Sequence, residues 1–339
     1  MYKLKLLRFI AVLVLGIIYL TVIPVLWGDS PFILTIVIQA SIFAIAALGV
    51  WLCFTVGLTN IAQAVFLAIG GYTTAILSTK LGLSFWLCLP IAGLVAAFIG
   101  FFLGSVTRWL KGIYFGILTF VLNEIMRHGM MLGGDLTGGT VGIGSIPRPD
   151  SISIGGWTII PQFAATDRLL YFYLAAFLLI ISIAVVWRLS RCRIGRMNDA
   201  LRQNDKLAAT VGINIVKYRL ITFCVSCFLG GIGGAFFAGY TTVILPVTYN
   251  LLVSVYLAIY CVCGGLGYIA GPILGAFFFQ ALFPFLSALH DYQAIIYAVM
   301  MIAVILWMPN GVLSLRFRRK KVAKEEIYVG TTTQGKQGG

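Results

Sequence analysis

The sequence predicts an all-α polytopic membrane protein of about ten transmembrane helices with both termini in the cytoplasm. Three observations predict it. The 339 residues are 60% hydrophobic and only 10% charged, with a mean hydropathy of +1.02, far from the balance of a soluble domain. Apolar runs of about 20 residues, each able to cross roughly 30 Å of hydrocarbon, recur along the whole length. Of the 24 Lys and Arg, only Lys80, Arg127, Arg148 and Arg168 fall on one side of the resulting topology. The rest gather on the other, before residue 9, at Arg108 and Lys111, within 188–219 and after Leu315. Basic residues are retained on the cytoplasmic face, so this asymmetry sets both the orientation and the even number of spans. The net charge of +14 is thereby a topology signal, and no soluble basic surface for nucleic acid is visible.

The spans follow from apolar runs and polar breaks. The first, 7–27, lies behind Lys3, Lys5 and Arg8. It exceeds the roughly 7–15 residues of a signal-peptide core and lacks an A-x-A site, so it reads as a retained anchor. Spans at 32–54, 61–79 and 84–106 follow. The fifth, 113–127, is short, and either begins nearer Trp109 or does not cross fully. A Gly-, Pro-, Ser- and Thr-rich outer loop occupies 128–168, where Trp157, Ile159, Ile160 and Phe163 suggest a packed lid or docking surface. The sixth span is 169–189 and the seventh 219–241, rich in small residues for close helix packing. Spans at 249–266 and 271–289 are divided by a Gly-rich stretch, a tight turn or a broken helix. The last is 292–308. One transmembrane domain thus covers 1–315, and a basic, then disordered cytoplasmic tail covers 316–339.

Two places carry polar residues against this background. The cytoplasmic stretch GRMNDALRQNDKLAATVGIN, 195–214, places Met197, Ala200, Leu201, Leu207, Ala208 and Val211 on one stripe at helical spacing. It predicts one amphipathic helix over about 196–211, with Gly212 ending it and Asn214 capping the next. Such a helix could lie in the headgroups, be a loop trimmed by charge, or dock on a soluble partner. Inside the spans, Asn60, Gln63, Thr119, Asn123 and Glu124 are the candidates for a solute path, because polar groups in lipid must face protein or a wet cavity. Asn60 and Gln63 equally suit helix capping. Glu124 also suits an ion pair with Arg127 at i+3, His128 following at i+4.

The seven cysteines fall mostly in or beside spans, so they read as small hydrophobes, with no disulfide expected. No G-x-x-x-x-G-K-[ST] phosphate loop, metal-ligand cluster or convergent catalytic set is present, so the chain reads as a non-enzyme with no cofactor of its own.

Several blocks, in order, resemble one family. They are GLTNIAQAVFLAIGGYTTAIL (57–77), LKGIYFGILTFVLNEIMR (110–127), LTGGTVGIGSIPRP (136–149), ALRQNDKLAATVGIN (200–214) and CGGLGYIAGPILGA (263–276). Together they resemble the branched-chain amino acid permeases of ABC importers across about residues 45 to 315. Asn60-Ile61-Ala62 stand where that family often has Ser-Leu-Gly, and Gln203 where it often has Glu.

The resemblance implies a second, related permease subunit, two ATP-binding subunits carrying the ATP, and a periplasmic or extracellular substrate-binding protein, in a bacterial inner membrane. It implies that Arg196, Ala200, Arg202, Asp205, Ala208, Ala209 and Gly212 couple to the ATP-binding subunits. The cargo it implies is a small polar solute, foremost branched-chain amino acids, with urea or short amides as the alternative. An ion-coupled secondary transporter is the rival from another class. It would need paired intramembrane acids and bases, and Glu124 is the one acid inside a span.

Overall fold

The computed structural model describes residues 30–110, 112–154, 157–160, 163–164 and 167–287, with 21, 24, 298, 299 and 302 as isolated positions. The expected first and tenth spans and the tail therefore lie outside the described residues, apart from those isolated positions. Eleven α-helices are described: α1 (Pro31–Thr55), α2 (Gln63–Lys80), α3 (Phe85–Val106), α4 (Ile113–Leu132), α5 (Gly134–Thr137), α6 (Arg168–Arg191), α7 (Arg193–Gln203), α8 (Asp205–Thr210), α9 (Ile215–Thr241), α10 (Leu251–Gly264) and α11 (Ala270–Ser287). Four of them, α1, α3, α6 and α9, are by length and composition able to cross a membrane. Several of their hydroxyl side chains cost little in that setting because they bond back to their own helix. Ser41 donates to the Val37 carbonyl, Ser182 to Leu178 and Thr241 to Phe237, each at 2.8 Å.

Helix α9 is the hub, packed against α1, α2 and α3. Its Gly-Gly-x-Gly-Gly run lets backbones touch. A methyl group on Gly234 would come 1.8 Å from the Leu67 carbonyl oxygen, and one on Gly70 would come 2.0 Å from that of Gly231. The α2–α9 crossing thus admits no side chain, which is how small residues bring membrane helices together. Phe172, Phe236 and Phe279 are buried in the main interior, and Phe66 in a second cluster with Phe115 and Phe223.

Helix ends meet in two sets. Trp51 Nε1, one turn from the end of α1, donates to the Leu266 carbonyl, and Leu58 bridges to Gly112 just before α4. At the other end Lys80 Nζ reaches the Asp135 carbonyl, Trp86 Nε1 the Asp150 carbonyl, and Arg168 the Pro31 carbonyl and Thr35 hydroxyl. Ile143 pairs there with Ile244. Each set joins only ends that the sequence puts on one side of the membrane.

Three expectations change. The fifth helix is longer than 113–127: it runs 20 residues to Leu132, about 30 Å at 1.5 Å per residue. It continues through Glu124 and Arg127 because they neutralise each other (2.6 Å). The eighth helix is shorter than 249–266, only 14 residues, because Pro246–Tyr249 form a 3₁₀ turn and Gly265, at φ +111°, ends it. Among the described residues the fold is all-α except for an antiparallel hairpin of β1 (Ile152–Ile154) and β2 (Trp157–Ile160) in the long loop. That loop is anchored by Ile146 and by Phe163, which packs edge-on against Trp86 and Tyr171.

Candidate functional site

Four of the five polar residues predicted as path candidates converge on the break between α1 and α2. Residues 56–62 are not helical, although Val56, Leu58, Asn60 and Ala62 are buried. Gly57, at φ +78°, turns the chain out of α1. Backbone of this kind must find its hydrogen bonds within the protein. Side chains supply them. Thr119 Oγ1 accepts from the Ile61 N–H (3.1 Å), Asn60 Oδ1 from the Ala62 N–H (3.0 Å), and Ser254 Oγ from the Ala64 N–H (2.9 Å).

The same groups bond to one another. Asn60 Nδ2 donates to Gln63 Oε1 (2.9 Å), which also accepts from Ser226 Oγ (3.2 Å). Gln63 Nε2 donates to the Ser226 carbonyl (3.1 Å), and Ser254 Oγ donates to Asn123 Oδ1 (3.1 Å). Asn60, Gln63, Asn123, Ser226 and Ser254 are fully buried, and Thr119 is 1% exposed. Four of the five path candidates therefore share one neighbourhood built by α2, α4, α9 and α10.

Glu124 does not join them. Its carboxylate turns to Arg127 (2.6 and 2.9 Å), with His128 Nε2 at 3.8 Å. Ser226 and Ser254 escaped sequence reading because a serine in an apolar helix usually bonds to its own backbone; nothing local marks these two as exceptions.

The expected single helix over 196–211 is divided. Asn204 leaves helical geometry (φ −160°, ψ 107°) and its side chain caps α8, accepting from the Lys206 and Leu207 N–H groups. Gly195 lies inside α7. The break turns α8 so that Ala208, expected on a docking stripe, is buried with Leu201 beside Leu58, Phe115 and Phe223. Asp205 also points inward, to Arg219 of α9 (2.6 Å). Asn198 Nδ2 donates to Thr222 Oγ1 (2.8 Å), a second tie to α9. Arg196, Arg202, Ala209 and Gly212 are exposed and Ala200 is half-buried. The exposed apolar residues of the segment are Leu207 and Val211, 65% and 72% exposed. Gly212, at φ +80°, closes α8.

The pair also touches the break. Arg202 Cα lies 3.8 Å from the point where Gly57 would carry a Cβ. Sequence periodicity marks the amphipathic segment but not its inward face, because a continuous helical stripe hides the break at Asn204.

Comparison with known proteins fixes the family. The model of the branched-chain amino acid transport system permease component matches residues 32–305. The chain is 32% identical over 285 residues to the high-affinity branched-chain amino acid transport system permease protein LivM of Escherichia coli (strain K12), covering 79% of this chain and 67% of that protein. LivM of Salmonella typhimurium matches equally. A probable branched-chain amino acid transport permease protein, LivH of Methanocaldococcus jannaschii, is 23% identical over 311 residues, covering 87% of this chain and 95% of that one. No solved structure matches significantly. A multi-pass apolar helical fold and a family match over most of its length make this chain a member of the branched-chain amino acid transport system permease family, a transport component and not an enzyme.

Proposed function

We propose that the chain is the inner-membrane permease subunit of a binding-protein-dependent ABC importer whose cargo is branched-chain amino acids. Its termini are cytoplasmic, its spans number about ten, and it pairs with a second, related permease. The observation that carries the reading is the buried polar break at 56–63, joined on one side to α4 and α10 and on the other to the α7–α8 pair. It gives a polar route for a solute and a mechanical link to a soluble motor in one place.

In this reading α7 and α8 face the cytoplasm and receive the ATP-binding subunit. Arg196, Arg202 and Ala209 with Leu207 and Val211 meet it, while Asp205 and Ala208 hold the pair to its own protein. A rigid push on the pair moves Gly57 and the residues behind it, including Asn60 and Gln63. The outer loop, stiffened by its hairpin, receives the binding protein. The basic asymmetry and the two separate sets of meeting helix ends support the orientation.

The test is leucine uptake by the complete importer in proteoliposomes. Uptake is expected to require internal ATP and the binding protein, and to persist when ionophores collapse ion gradients. Uptake driven by an ion gradient without ATP would establish the secondary-transporter alternative. ATP-driven uptake of urea or a short amide in place of leucine would replace the cargo.

A further inference from the structure

The end of α3, the first turn of α4 and the start of α9 surround a small cleft. Leu58, Phe115 and Phe223 are among its apolar lining, and Thr107, Arg108 and Arg219 are its polar lining. Its volume is about 20 Å³. A cavity needs roughly 10–15 Å³ to hold one water-sized group, so this one has room for a single oxygen atom and not for a whole solute.

Two groups in the lining call for an anion. Arg219 donates from Nη2 to Asp205 (2.6 Å), but its Nε is buried and meets no acceptor among the described residues. A buried N–H left without an acceptor is costly, and buried polar groups of this kind are normally satisfied. Thr107 is turned elsewhere, its hydroxyl facing the Gly104 carbonyl at 3.5 Å. Arg108 is exposed and meets no carboxylate among the described residues. Its guanidinium lies over the Trp109 ring, 5.0 Å from the centroid. Asp205 thus balances Arg219, while Arg108 brings a positive charge to the cleft that no described acid answers.

We infer that this cleft binds the phosphate of an anionic phospholipid. One phosphate oxygen enters the cavity and accepts from Arg219 Nε, and the oxygens left at its mouth accept from Arg108. The planar fork of arginine suits phosphate oxygens. The surroundings fit a lipid better than free phosphate. Val106, Trp109 and Ile113, next to Arg108 in the chain, are largely exposed apolar side chains at a helix end. Trp and Arg at the end of a membrane helix lie at headgroup depth, and basic pockets between such helices take anionic headgroups. The phosphate joins the α3–α4 turn to the arginine that holds α8. This site depends on the chain's place in a membrane and not on its cargo.

Native mass spectrometry of the complete importer in mild detergent, titrated with phosphatidylglycerol, tests the site. The parent is expected to retain one phosphatidylglycerol in preference to phosphatidylcholine. Arg108→Gln is expected to lower that affinity about ten-fold, and Arg108→Glu to lower it further. Arg193→Gln removes an exposed arginine outside the cleft and should bind as the parent does. Inorganic phosphate should not displace the lipid.

Parental affinity in Arg108→Gln overturns the site and leaves the cleft to water. An equal loss in Arg193→Gln overturns it as well, because the lipid would then answer only general surface charge. Displacement by inorganic phosphate makes free phosphate the ligand and rules out the lipid. Arg108 is exposed, so both of its variants should assemble as the parent does; failure of both makes Arg108 part of the fold and removes the site.

Discussion

Arg219→Gln is expected to free the α7–α8 pair from α9 and to abolish ATP-driven uptake. Arg219 and Asp205 meet at 2.6 Å and are only 11% and 15% exposed, so they are mostly removed from water. Removing one partner leaves the other as an uncompensated charge, a loss of about 3–5 kcal/mol for such pairs. The other ties to α9 are Asn198 to Thr222 and the packing of Leu201 and Ala208, neither of which pairs a charge, while α7 alone keeps its packing on α1 and α6. Protease sensitivity of 193–214 and leucine uptake in proteoliposomes measure the two consequences. The double variant Asp205→Asn with Arg219→Gln, which removes both charges, should recover part of the loss. Parental uptake by Arg219→Gln alone would mean that the ion pair is not what joins the pair to the membrane helices.

Leu207→Asp combined with Val211→Asp is expected to release the ATP-binding subunits while the permease stays folded. The two residues are four apart, so a helical turn puts them on one face. Both are largely exposed, and Leu207 and Val211 touch little of their own protein. Exposed aliphatic anchors beside Arg202 and Lys206 suit a partner groove with an acidic rim. Loss of two anchors at the centre of an interface costs about 2 kcal/mol or more each, enough to end co-purification. Normal recovery of the ATP-binding subunits with this variant would move docking elsewhere. Ala208→Arg fails for a different reason, since Ala208 is 4% exposed and the larger side chain collides with the chain's own interior.

Much of this molecule is legible in its sequence because a membrane imposes its pattern directly. Apolar length gives the helices, and Gly230, Gly231, Gly233 and Gly234 announce the close crossing that α9 makes. The polar path candidates were legible one by one, since Asn60, Gln63, Thr119 and Asn123 are anomalous in apolar runs. That they meet was not legible. The meeting depends on the break at 56–62, which an apolar run does not reveal, and on Ser226 and Ser254, which look like ordinary back-bonded hydroxyls. The reversed orientation of Ala208 had the same origin. It follows from one backbone break at Asn204, and a continuous helical stripe over 196–211 hides that break. Glu124 misled because its sequence position beside Asn123 says nothing about which way a carboxylate turns on a helix.

The most direct measurement is thiol labelling at Thr119→Cys in a variant otherwise free of cysteine, within the complete importer. Thr119 is 1% exposed and holds the Ile61 N–H at the heart of the break. If the break lines the path, a small membrane-impermeant reagent should label this position at rates that differ about ten-fold or more between the nucleotide-free and ATP-trapped states. A position that stays unreactive in both states, in an importer that transports leucine, would show that the solute passes elsewhere and would contradict the assignment of the 56–63 break to the path.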